Sequence, residues 1–121
     1  MLNYSNENEV LELYSTFRVS KRVVEDYQSD IRGMENLTRN QIKRKLFRNL
    51  LLAHEYDNAN HDGRAFSYGN LFMVVKDNKL VYIENFGAKP REWNKDKVKY
   101  KQLNKILGIN YWKLEYNRLI L

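Results

Sequence analysis

A chain of 121 residues, 43% apolar and with a single proline, is long enough for one ordered domain over 1–121 and argues against disorder. It has no cysteine, which excludes disulfides, thiolate metal sites and cysteine nucleophiles, and it lacks the run of about 18 apolar residues that a membrane span needs. The net charge of +6 favours an anionic partner, and MLNYSNENEV lacks the basic and apolar parts of a signal peptide, so a soluble, cytoplasmic protein is expected.

The charge is unevenly placed. Residues 1–17 carry three acids and no base, and 18–48 hold nine Lys/Arg against four acids. Residues 49–75 have Arg64 against three acids, and 76–121 have eleven bases against five acids. Clustered charge raises a local potential that the average hides, so two basic blocks point to nucleic acid or an acidic protein surface. The plain alternative is a set of lysines that keep a small domain soluble.

In chain order, Asn6 with Glu9 reads as a helix start, and Val10, Leu13, Tyr14 and Phe17 recur at helical spacing. STFRVS predicts a brief strand. Ser20 caps a second helix with Val23, Val24, Tyr27 and Ile31 on one side, stopped by Gly33. Thr38 and Gln41 form a capping box for a third helix, whose Ile42, Leu46, Leu50 and Ala53 share a narrow arc. Arg44 and Arg48 fall on the other side of that wheel and are expected in solvent. From Arg64 the period changes to two: RAFSY, LFMVVK and KLVYIENF, joined by Gly-Asn and Asp-Asn, predict a three-stranded antiparallel meander. LFMVV reads as a central strand covered on both faces. In the third strand Leu80, Tyr82 and Phe86 alternate with Val81, Ile83 and Asn85, which suggests substantial cover there too.

After GAKPRE, Asn94 caps a last helix over DKVKYKQLNKIL, closed by Gly108. YWKLEYNRLIL then alternates as a final strand on the sheet. If its edge is exposed it would pair with a second copy, giving a homodimer. The fold class is α+β: N-terminal helices, a meander, then a C-terminal helix and strand.

HEYDNANHD (residues 54–62) collects both histidines with Glu55, Asp57 and Asp62. Zinc binding of the H-E-x-x-H type needs two histidines one helical turn apart, and Asn58 stands where the second would be. Asn, Asp and Gly favour a structural loop because their side chains bond their own backbone and accept unusual φ. His54, beside an apolar helix face, is expected to be half-buried packing. His61 is better placed for proton transfer at neutral pH. No metal site and no cofactor is expected, and GRAFSYGN lacks the Lys-Ser/Thr of a phosphate loop. Tyr100, between Lys99 and Lys101, is the best candidate for stacking on bases, against the simpler role of closing a small core.

The order of strand TFRVS, two helices, three antiparallel strands and a helix resembles the RelE-like toxin ribonucleases over roughly residues 16–107. The resemblance implies metal-independent RNA cleavage. Lys43 and Lys45 would match basic residues of the second family helix, Arg64 the arginine of the first meander strand, and Tyr68 an aromatic contact. YIENFG departs from the basic or histidine-containing end that many members carry, and the N-terminal helix is additional.

Three functions compete. The favoured one is a phage- or mobile-element-encoded binder of nucleic acid or host nucleoprotein without catalysis. It would use Lys43, Arg44, Lys45, Arg48, Arg64, Tyr68, Lys97, Lys99, Tyr100 and Lys101. The second is a ribonuclease toxin using His61 and Arg64. The third is a protein inhibitor of a host defence system.

Overall fold

The computed structural model describes residues 4–31, 33–56, 63–86 and 97–109. The elements are α1 (Glu7–Thr16), β1 (Arg18–Val19), α2 (Lys21–Asp30), α3 (Arg39–Leu52), β2 (His54–Tyr56), β3 (Arg64–Tyr68), β4 (Leu71–Lys76), β5 (Lys79–Asn85) and α4 (Lys97–Ile106).

The helix starts follow from capping chemistry. Asn6 Oδ1 accepts from the Glu9 backbone N–H at 3.0 Å, and Ser20 Oγ accepts from that of Val23 at 3.2 Å. Each supplies one orphan donor of a first turn with an acceptor. At α3 the exchange is reciprocal: the Gln41 N–H donates to Thr38 Oγ1 at 3.2 Å, and the Thr38 N–H donates to Gln41 Oε1 at 2.8 Å. Gly33, just beyond α2, has φ +86, a value costly for any residue with a Cβ.

The sheet has five strands in the order β1-β5-β4-β3-β2, and β1 runs parallel to β5. The expected meander is present as β3–β4–β5, with Arg64 opposite Val75 and Tyr68 opposite Leu71. Its second turn places Asp77 (φ 50) and Asn78 (φ 63) in the left-handed region, as a tight hairpin matched to strand twist requires. Two strands flank the meander. The brief strand expected in STFRVS is β1. The other was missed: His54–Tyr56, taken as part of a loop, forms β2 and pairs antiparallel with β3, His54 opposite Ser67. The stretches 57–62, 87–96 and 110–121 lie outside the described residues. So do His61, the Asn94 cap, the final strand and the edge expected to make a homodimer.

The helices pack on one face of the sheet. Phe66, Leu71, Met73, Val75, Leu80 and Ile83 join one core with Val10, Phe17, Val23, Tyr27, Ile42, Leu46, Phe47 and Leu50 from the helical side. Ile42, Leu46, Leu50 and Ala53 are all buried as the wheel predicts, and β4 is the well-covered central strand. In β5 the expectation of general cover fails. Leu80 and Ile83 are buried while Val81, Tyr82 and Phe86 are exposed. A register shift explains this: Val75 faces Leu80 and Val74 faces Tyr82, so Val81 is an extra residue and the alternation slips by one.

Removing the reciprocal cap by Thr38→Ala is expected to cost about 1 kcal/mol of stability. It should lower the thermal midpoint by a few degrees, read by circular dichroism, with no change of fold; an unchanged midpoint would mean that the cap does not hold α3.

Candidate functional site

The basic residues of α3 and α4 fall into two groups, one inside the molecule and one outside. The inner group centres on Arg48, which is only 4% exposed and not in solvent as its wheel position suggested. The wheel fails because α3 is covered by α2 and α4 as well as by the sheet. In its second half, Lys45 through Leu52 are all buried. Arg48 Nε and Nη2 donate to Asn49 Oδ1 at 3.2 and 3.0 Å, and Nη1 donates to Asn104 Oδ1 of α4 at 2.8 Å. Its guanidinium lies 4.5 Å from the centroid of the Tyr100 ring. Burying a charge is costly unless it is hydrogen-bonded, and here two neutral amides and a π-face supply the compensation. Tyr68 belongs to the same neighbourhood: its phenol is pushed above the usual range by burial first and by Tyr100 next, while the Arg48 charge opposes the shift.

Lys45 is 2% exposed, one turn before Arg48, and its Nζ lies 3.6 Å from Met34 Sδ. Burial, and then the charge of Arg48, push its pKa down to about 7. Lys45 and Arg48 are therefore enclosed and do not present their charges to an external phosphate backbone as the sequence suggested.

The outer group is different. Lys97, Lys101 and Lys105 lie at i, i+4 and i+8 on α4 and are all exposed, while Leu103, Asn104 and Leu107 are buried. Like charges at this spacing repel by about 0.2–0.5 kcal/mol per pair, so the stripe forms against a local cost. On α3, Arg39 and Lys43 repeat the i, i+4 pattern. Burial, and then the Arg39 charge, lower the pKa of Lys43. The Lys43 amine sits 4.5 Å from the Tyr14 ring centroid, and that of Lys99 sits 5.1 Å from the Tyr4 ring centroid. Arg44 is half-buried beside the end of α4, its Nη1 3.8 Å from where a Cβ on Gly108 would be. Ion pairs on other elements include Lys21–Glu25, Arg22–Asp26 and Arg64–Glu55. Arg39 and Lys105 were missed from the sequence, although their spacing to Lys43 and Lys101 was the available signal.

Arg64 stands apart. It is exposed at the first residue of β3, about 13 Å along the strand from Tyr68. Its Nε and Nη2 each donate to Glu55 at 2.8 Å, a bidentate pair that neutralises it. The HEYDNANHD stretch thus divides. Glu55 serves Arg64, and His54 is exposed on a strand, its ring 5.1 Å from that of Tyr56, not half-buried against a helix. Among the described residues no three metal-ligating side chains come together.

The buried amine predicts a pH effect. The unfolded state holds its Lys45 proton up to about 10.5 and the folded state only to about 7. Between these values the unfolded chain binds more protons, so stability rises with pH across that window, and the penalty is complete below pH 7. Lys45→Met is expected to raise the thermal midpoint most at pH 6 and progressively less towards pH 10. A pH-independent difference between the two proteins would contradict the assignment.

No curated protein and no solved structure matches the chain. Among protein families, YorE matches residues 17–106, from the end of α1 to the last residue of α4. That span includes β1, the whole meander and both basic helices, and leaves out only α1 among the described elements. The chain belongs to the YorE family, a family with a phage-type name.

Proposed function

We propose that the protein is a small non-enzymatic binder that grips nucleic-acid phosphates with the outer cations of α3 and α4. The observation that carries this is the exposed Lys97, Lys101 and Lys105 stripe on α4, with Arg39, Lys43 and Arg44 on the adjoining α3 and no carboxylate on α3 to answer them. The stripe is about 12 Å long, enough to follow a run of backbone charges. Lys99 adds to this side, and Tyr100 acts from beneath through Arg48. A phage or mobile-element origin fits the YorE name. Arg64, occupied by Glu55, is a weaker candidate, and a ribonuclease centred on it would first have to break that pair.

Salt dependence tests the proposal. Affinity for a duplex should fall by about 0.9 log unit per log unit of salt for each phosphate neutralised. The Lys97→Glu/Lys101→Glu/Lys105→Glu triple variant changes only exposed side chains and should lower both the affinity and that slope. An interaction indifferent to salt would refute the phosphate grip. A partner that survives nuclease treatment in a pull-down would replace it with a protein-binding function, as an inhibitor of a host system would show.

A further inference from the structure

The side of the sheet turned away from the helices takes no part in the function proposed above. Since Phe66, Leu71, Met73, Val75 and Leu80 point into the core, alternation sends Ala65, Ser67, Phe72, Val74 and Lys76 to the other face. The register carries that face across the sheet in two ladders, His54–Ser67–Phe72–Glu84 and Tyr56–Ala65–Val74–Tyr82. Phe86 continues it beyond β5. The register shift at Val81 is what brings Tyr82 and Phe86 to this side.

Tyr56, Tyr82 and Phe86 are 38%, 42% and 48% exposed, while Ala65 and Val74 between them are buried, so the open part of this face is its rings. The rings meet steeply: Phe72 and Tyr82 at 6.3 Å and 70°, Phe72 and Phe86 at 6.0 Å and 59°, His54 and Tyr56 at 5.1 Å and 89°. None of these pairs is a parallel stack, so the rings do not cover one another face to face. Exposed rings gathered on one sheet face mark an interaction surface more than a solvated one.

We infer that this outer sheet face is a stacking platform for the bases of single-stranded nucleic acid. The inference rests on the nucleic-acid function proposed above and adds the bases to the phosphates. Charge complementarity selects this occupant. Lys76 and Lys79, paired across the β4–β5 end, lie on the same face. Glu84 on this face accepts a hydrogen bond from the Tyr82 hydroxyl at 3.1 Å, and the nearby Asp26 of α2 is paired with Arg22. The exposed large apolar side chains of β2, β5 and the adjoining Phe86 are three rings to one aliphatic, Val81, a composition suited to flat π-systems more than to an aliphatic protein core. Ser67 Oγ, 3.0 Å from the Tyr56 hydroxyl, and the His54 ring add groups able to hydrogen-bond base edges. An antiparallel sheet carrying rings in this way has room for two or three stacked bases.

Fluorescence anisotropy with labelled oligo(U), oligo(dT) and a duplex of the same length tests this on the full chain, with the thermal midpoint of each variant as a check on folding. Tyr82→Ala and Phe86→Ala should each weaken single-strand binding on the order of tenfold and leave duplex binding unchanged. Tyr82→Phe keeps the ring and loses the bond to Glu84, so it should bind as the unaltered chain does; a purely structural hydroxyl would give the opposite result. Preference for one sugar would support the platform and identify the polymer. Duplex binding that matches single-strand binding, with both untouched by the ring substitutions, would overturn the platform and leave the phosphate grip standing. Single-strand binding lost in Tyr82→Ala but intact in the triple lysine variant would uphold the platform and remove the grip. Failure to bind any of the three probes would remove both.

Discussion

The rest of the molecule depends on how α3 meets α4. Helices usually meet through apolar ridges, and Leu103 of α4 and Leu107 just beyond it do pack into the common core. Yet the most specific contact is polar: the Arg48 guanidinium reaches across to Asn104 and lies over the Tyr100 ring. A planar fork that must satisfy Asn49 on one edge and Asn104 on another tolerates little rotation or sliding. Apolar contacts alone would allow α4 to shift along α3 at small cost. The fork fixes the rotation of α4, and with it the direction in which Lys97, Lys101 and Lys105 point. A buried cation that adds little or nothing to stability can thus still determine the geometry of an exposed cationic row.

The sheet obeys a second constraint of the same kind. One extra residue at Val81 places Leu80 and Ile83, three apart, on the core side. Had the strand alternated regularly from Leu80, Tyr82 would have entered the core and Ile83 would have faced outward. The slip keeps the aliphatic side chains inside and puts the rings outside, which gives the outer face its aromatic character. Both faces of the molecule therefore owe their chemistry to a local irregularity: a charge inside a helix bundle, and a bulge in a strand.

Much of the architecture was readable from residue order because it rests on local rules. Asn6, Ser20 and Thr38 are caps whose partners lie three residues away, and Asp77–Asn78 is a turn whose φ values are set by the two residues themselves. What escaped was tertiary. Arg48 looks solvent-facing on a wheel, since a wheel assumes that one side of a helix is covered, and α3 is covered on several. Nothing near Arg48 in sequence announces Asn104, 56 residues later. His54–Tyr56 is too short to show a period, and it becomes a strand because β3 offers it an edge. The candidate cations of α3 and α4 lie close together in sequence within each helix. Their division into an enclosed pair and an exposed row needed the packing of α4.

The place of α1 follows from the same electrostatics. It carries Glu7, Glu9 and Glu12 and no base, and it lies against the cationic side of the molecule. Ser5 donates to the Glu9 carboxylate and holds its pKa below the usual range. Through Tyr14 and Tyr4 the α1 region also supplies ring faces to Lys43 and Lys99. A cation held over a ring keeps its charge and loses freedom, so it gives up less entropy when it meets an anion. Glu7, Glu9 and Glu12 thus stand on the helix that contacts α4. Opposite charges on neighbouring helices give this side of the molecule a gradient of potential as well as a sign.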